Sequence, residues 1–245
     1  MKFPGAKHGP PRYKRGGGLR RRGNHPARVV GAGDAAQAGQ RDAFGADEID
    51  VRNTTQMTVA TPKTRFTPDD LLRLEDDGLF ELVDGKLLEK QMGSLASRTA
   101  GIIAARLFVF IEASGSGDVI YPEQTFQCFS HNPDSIRRPD VALVLAGRVV
   151  AVPEEGNVPI PPDLAVEVIS PNDKIYEFEE KLVDYQMAGV KAVWEVNPKF
   201  RFVRVHHPDR SSHFLLESDA LSGEPLLPGF SVLVKDLLPP PEDKR

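Results

Sequence analysis

The chain has 245 residues, 40% of them hydrophobic, and a formal net charge of −4, so it can hold one well-packed domain with extra segments and, by length alone, two. It contains no run of 18 or more apolar residues and no basic-then-apolar leader, which gives no support to a membrane span or to secretion. Cys128 is the single cysteine, which excludes an internal disulfide and a cysteine-built zinc site; it is expected to be a small buried residue of a soluble, cytoplasmic protein.

Charge is unevenly spread. Residues 1–30 carry nine Lys or Arg and no Asp or Glu, and up to Gln56 the balance is 11 basic against five acidic residues. Residues 57–245 carry 20 basic against 30 acidic, a net of −10. With almost no apolar periodicity, 1–56 is expected to be a disordered basic arm and 57–245 the folded domain. One reading of the arm is sequence-independent attraction to nucleic-acid phosphates. The plainer one is an extension upstream of a start at Met57. A transit peptide is a third, although residues 1–30 lack Ser and an amphipathic apolar face.

In chain order, FTPDDLLRLEDD predicts a helix with Thr67 as N-cap, Pro68 at the first helical position and Asp69 and Asp70 in the first turn. LFELVDGKLLEK predicts a hairpin over about 79–90, turning at Asp84-Gly85. A second helix, capped by Ser94, runs to about Ala113 with Ile102, Ile103, Leu107, Phe110 and Ile111 as its apolar stripe, and the SGSG of 114–117 ends it. Three strands follow, in VIYPEQTFQCF, PDVALVLA and DLAVEVIS. A third helix spans about 174–188 and stops at Gly189. KAVWEVN and RFVRVHH form a strand pair about the Asn197-Pro198 turn, and a last strand lies near LPGFSVLV. This order predicts an α/β or α+β domain with a mixed sheet flanked by helices.

Three acids occupy unusual places: Glu81 in the first hairpin strand, Asp140 in RRPD at the entry of a very apolar strand, and Glu167 inside LAVEVI. Apolar residues flank Glu167 on both sides, as in a strand covered on both faces, so its carboxylate must be protonated, paired with a cation or bound to a metal. Adjacent strands can bring Asp140 and Glu167 together, and hard oxygen ligands suit Mg²⁺ or Mn²⁺. A nearby lysine would complete a hydrolytic site.

The series FELVDGKL, RRPDVALV, PPDLAVEVISPND, a helix with Lys181 and Tyr185 leading to AGVKAVWEVNP, and LPGF resembles the Uma2-like restriction endonuclease family, a branch of the PD-(D/E)XK nuclease superfamily. The resemblance covers about Phe66 to Leu238. It implies the restriction-endonuclease-like fold, with a mixed four-stranded central sheet and its site at one edge. It implies further that Asp140 is the Pro-Asp aspartate, Glu167 the second acid and Glu81 an additional N-terminal acid. The superfamily's lysine two residues after the second acid is Ile169 here, and the resemblance points instead to Lys181 on the following helix.

Each residue also has a plainer role. Asp140 could pair with Arg137 or Arg138, Glu167 with any Lys or Arg, Lys181 with Glu177 one helical turn before it, and Glu81 with Lys86 across the hairpin. His206-His207 lacks a third ligand at metal spacing, Ser170 lacks a nucleophile elbow, and the GAGDAAQAG of 31–39 follows no predicted strand.

The expected activity is that of a Mg²⁺- or Mn²⁺-dependent endodeoxyribonuclease. Asp140 and Glu167, with the Val168 carbonyl, hold the metal, Glu81 tunes the site, and Lys181 positions the attacking hydroxide. DNA is the expected substrate, no membrane is expected, and a homodimer is left open. The rival is a catalytically silent nuclease-fold module that binds nucleic acid or a protein partner.

Overall fold

The computed structural model describes residues 65–74 and 78–241. The predicted basic arm and its boundary at Met57 lie outside the described residues.

Helix α1 (Pro68–Leu72) starts as its sequence dictates: the Thr67 side chain accepts from the Asp70 amide while the Asp70 carboxylate accepts from the Thr67 amide. Strands β1 (Phe80–Val83) and β2 (Lys86–Glu89) form the antiparallel hairpin. Asp84 and Gly85 both take positive φ, 50° and 78°, the requirement of a two-residue primed turn. A side chain at 85 would also collide with Arg65, whose Cγ lies 2.3 Å from the place of a Cβ.

Helix α2 (Ser94–Ser114) is capped by Gly93, one residue before the predicted Ser94. By length and composition it is apolar enough to cross a membrane, but in this fold Ala96, Ala100, Ile103, Leu107 and Ile111 pack into the core against the sheet. The sheet comprises β3 (Val119–Pro122), β4 (Val141–Val144), β5 (Leu164–Val168), β6 (Ala192–Asn197), β7 (Phe202–His206) and β8 (Ser212–Leu216), in spatial order β3-β4-β5-β6-β7-β8. It therefore has six strands where the resemblance implied four. β8 was not predicted, because an exposed edge strand lacks a two-sided apolar run. Only β5 and β6 are parallel, joined through helix α3 (Ile175–Ala188), which ends at Gly189 in the left-handed region. The short strands β9 (Ala220–Ser222) and β10 (Ser231–Leu233) pair with each other.

Side-chain alternation sorts β5 between the two faces of this sheet. Leu164, Val166 and Val168 join α2 residues, Trp194 and Phe230 in the large core, while Ala165 packs on the opposite face with Tyr185 of α3 and Phe129. Each large apolar side chain fully buried here contributes about 1.5–3 kcal/mol. Glu167 shares the parity of Ala165, and thus points toward α3.

Candidate active site

The β4–β5 register pairs Val141 with Val166, and one further step sets Asp140 across from Glu167. Both are buried, at 3% and 5% exposure, and Glu81 is equally so at 4%. The structure brings these three acids together with Lys181 around one cleft of about 300 Å³. Val168 lines it as well.

Lys181 Nζ lies 2.9 Å from Glu81 Oε1 and 3.1 Å from Glu167 Oε2. Tyr185, one helical turn further along α3, donates its hydroxyl to Glu167 Oε1 at 2.7 Å. Asp140 accepts from the Val168 amide at Oδ2, 2.5 Å away, and its Oδ1 lies 2.6 Å from Lys90 Nζ. Glu81 also accepts from the Arg138 amide at 2.9 Å and pairs with Arg137 at 3.3 Å.

The plainer pairings resolve accordingly. Asp140 pairs with Lys90 and not with Arg137 or Arg138. Lys181 turns inward to Glu81 and Glu167, and Glu177 pairs with Lys174 instead. Glu81 is held by Lys181 and Arg137 where a contact with Lys86 was the alternative. Glu167 does form a buried ion pair.

Electrostatics differ between the acids. Burial pushes the Glu167 carboxyl up to about 7; Lys181 and Lys90 only partly offset it, and Asp140 and Glu81 add smaller repulsions. Burial acts the same way on Glu81, but Lys181, Arg137 and Lys90 outweigh it and hold that carboxyl below its usual range. Burial would lower the lysines, yet Glu167 and Glu81 raise Lys181, and Asp140 and Glu167 raise Lys90. The Tyr185 hydroxyl is raised well above its ordinary value by burial and by Glu167, so it acts as a donor.

Several participants went unread in the sequence. Lys90 follows an unremarkable hairpin strand, and its partners lie 33 and 48 residues away, beyond any local pattern. Arg137, 1% exposed, grips Asp184 through two nitrogens at 2.6 Å each and thereby anchors Glu81, while His131 meets the other Asp184 oxygen at 2.7 Å. Asp184 carried no local signal, since it lies off the face formed by Ile175, Phe178, Leu182 and Tyr185. Glu195 lies beside Glu167 in the parallel register and is occupied by His206 and Arg204. Cys128 is half-buried, and burial raises its thiol to about 12, in keeping with an inert packing residue.

Among the described residues no group of three or more His, Cys, Asp or Glu side chains is arranged to hold a metal ion. The pair Asp140 and Glu167 nonetheless suits a hard divalent cation of the magnesium type, which takes one or two protein carboxylates and completes its shell with water and phosphate. The two ammonium groups seated on these acids show that the oxygens attract cations.

A mixed sheet flanked by helices, with two acids on facing strand ends and a lysine delivered from the next helix, makes this an α+β domain with an acid–lysine cleft at its sheet. The family model described as "Putative restriction endonuclease" (Uma2) matches residues 68–235, and the chain belongs to that family. A solved structure from Anabaena variabilis, titled as a putative nuclease belonging to DUF820, is 18% identical with a TM-score of 0.60, covering 70% of this chain and 97% of that one. That likeness shows the fold. A cryo-electron-microscopy structure of a DrdV–DNA complex is 13% identical over 48% of this chain and 12% of that one, with a TM-score of 0.27, too low to bear on the fold. No curated protein matches the chain.

Proposed function

We propose that this domain is a metal-dependent endonuclease that hydrolyses phosphodiester bonds of DNA with Mg²⁺ or Mn²⁺. The single observation that carries the reading is the convergence of Asp140, Glu167 and Lys181 on one cleft, from two facing strands and a helix. Membership of a restriction endonuclease family supports it.

Asp140 and Glu167, with the Val168 carbonyl as a third oxygen, are the groups that would hold the cation. When bound, the cation supplies a Lewis acid for the phosphate oxygens and lowers the pKa of water. Lys181 orients the attacking oxygen and offsets charge growing on the phosphate; it is already fixed by Glu81 and needs little rearrangement. Tyr185 holds Glu167 in one rotamer and favours its ionised form. Arg137 locks Glu81 from behind. The test is hydrolysis of duplex DNA in Mg²⁺, in Mn²⁺ and in chelator by wild type and Asp140→Asn. Metal-dependent cleavage lost in the variant is the expected result.

A second reading, a silent nuclease-fold module, is favoured by one observation. Asp140, Glu167 and Glu81 each already have cationic partners and donors, so the network is complete as a structural device. Cleavage by neither protein under any of these conditions would favour that module.

A further inference from the structure

Lys90 directly follows β2, and its ammonium meets three oxygens: Asp140 Oδ1 at 2.6 Å, Glu123 Oε2 at 3.1 Å and the Arg138 carbonyl at 2.9 Å. Three acceptors match the three donors of an ammonium, and the side chain is only 14% exposed. Ordering so long a side chain costs rotamer entropy, which the three contacts must outweigh.

The other Asp140 oxygen is taken by the Val168 amide. A divalent cation reaching Asp140 must therefore contend with Lys90 for Oδ1, and two cations on one oxygen repel strongly at low local dielectric. Lys90 has somewhere to go. Glu123 presents a second oxygen, Oε1, that is buried and has no hydrogen-bond partner among the described residues. A buried acceptor left in that state is costly and would be satisfied by an ammonium moved toward it.

We propose that Lys90 is an internal competitor of the divalent cation: it holds Asp140 in the cation-free protein and withdraws toward Glu123 when the cation binds. Lys90 thereby sets the cation affinity of the site. This rests on the metal-dependent reading above, and its test separates the two.

Mn²⁺ and Mg²⁺ are titrated calorimetrically, without DNA, into wild type, Lys90→Met and the double variant Lys90→Met/Asp140→Asn. Lys90→Met is expected to bind Mn²⁺ about tenfold more tightly than wild type, and the double variant to lose that gain. In parallel, Lys90 of the unsubstituted protein is modified by reductive methylation with and without Mn²⁺ and read by peptide mass spectrometry. Its rate of modification is expected to change several-fold with Mn²⁺, because its surroundings change. This second measurement stands even where Lys90→Met does not fold. Equal affinity of wild type and Lys90→Met, or modification of Lys90 unchanged by bound Mn²⁺, overturns the proposal and leaves the metal-dependent reading standing. Absence of Mn²⁺ and Mg²⁺ binding in every protein overturns both.

Discussion

Lys181 and Glu167 meet at 3.1 Å although they are 14 residues apart on different elements, and Glu81 clasps the same ammonium from a third element at 2.9 Å. A lysine placed between two buried carboxylates is the electrostatic hub of the cleft. Its replacement therefore acts on stability as well as on chemistry.

Lys181→Met should destabilise the fold by about 3–5 kcal/mol in metal-free buffer, because two buried acids lose their shared cation. The loss should be smaller at pH 6 than at pH 8, since Glu167, raised to about 7, then escapes by protonation. Urea denaturation at the two pH values checks it. A change under ~0.5 kcal/mol would mean that the pair behaves like one exposed to solvent.

Glu167→Gln has the opposite character. The folded pKa of Glu167 is raised above the unfolded value, so its contribution to stability is fully present below its ordinary 4.5 and is lost as pH rises through about 7. Gln keeps an acceptor for the Tyr185 hydroxyl and leaves Lys181 its Glu81 partner. The variant is expected to lack the wild type's fall in melting temperature between pH 5 and pH 8, and to lose any Mg²⁺-induced stabilisation. Melting curves across that range decide. A variant less stable than wild type at pH 8 would mean that attraction to Lys181 outweighs the cost of burying the Glu167 charge.

Tyr185→Phe removes the hydroxyl that stabilises the ionised Glu167 carboxylate. The buried oxygen left behind should cost about 1–3 kcal/mol. The acidic limb of any pH–rate profile should move to higher pH, as the carboxyl becomes harder to ionise. An unmoved limb would show that Glu167 ionisation does not govern turnover.

Arg137→Met should be severe. The guanidinium is buried between Asp184 and Glu81, and its removal leaves Asp184 to His131 and Glu81 to Lys181, at a cost of about 3–5 kcal/mol measurable by chemical denaturation. A loss below ~1 kcal/mol would leave Arg137 without its anchoring role.

Much of this site was legible in the sequence because its signals were local. Glu167 stood out through the apolar residues flanking it, and strand parity then directed it toward α3, where Ala165 meets Tyr185. Asp140 was marked by its place at the entry of an apolar strand, and the Asp84-Gly85 turn fixed the hairpin that carries Glu81. Lys90 was not legible, because its three oxygens come from two segments, Glu123 and Arg138 with Asp140, both distant from it in the chain. Tyr185 stood in the sequence as a helix residue near Lys181, and the packing of α3 on β5 is what shows that its hydroxyl faces a carboxylate. β8 escaped for a related reason: exposure of Ser212, His213 and Phe214 leaves no run of buried residues to recognise.

The most direct test of the central claim is cleavage of supercoiled plasmid DNA by wild type and Lys181→Met side by side, in Mg²⁺, Mn²⁺ and chelator, with Mn²⁺-induced thermal shifts recorded on the same samples. The account predicts that wild type cleaves only with metal, and that Lys181→Met keeps its thermal shift but does not cleave, since the ammonium serves the transition state and not the ion. Undiminished cleavage by Lys181→Met, or wild type inert under every condition, would contradict it.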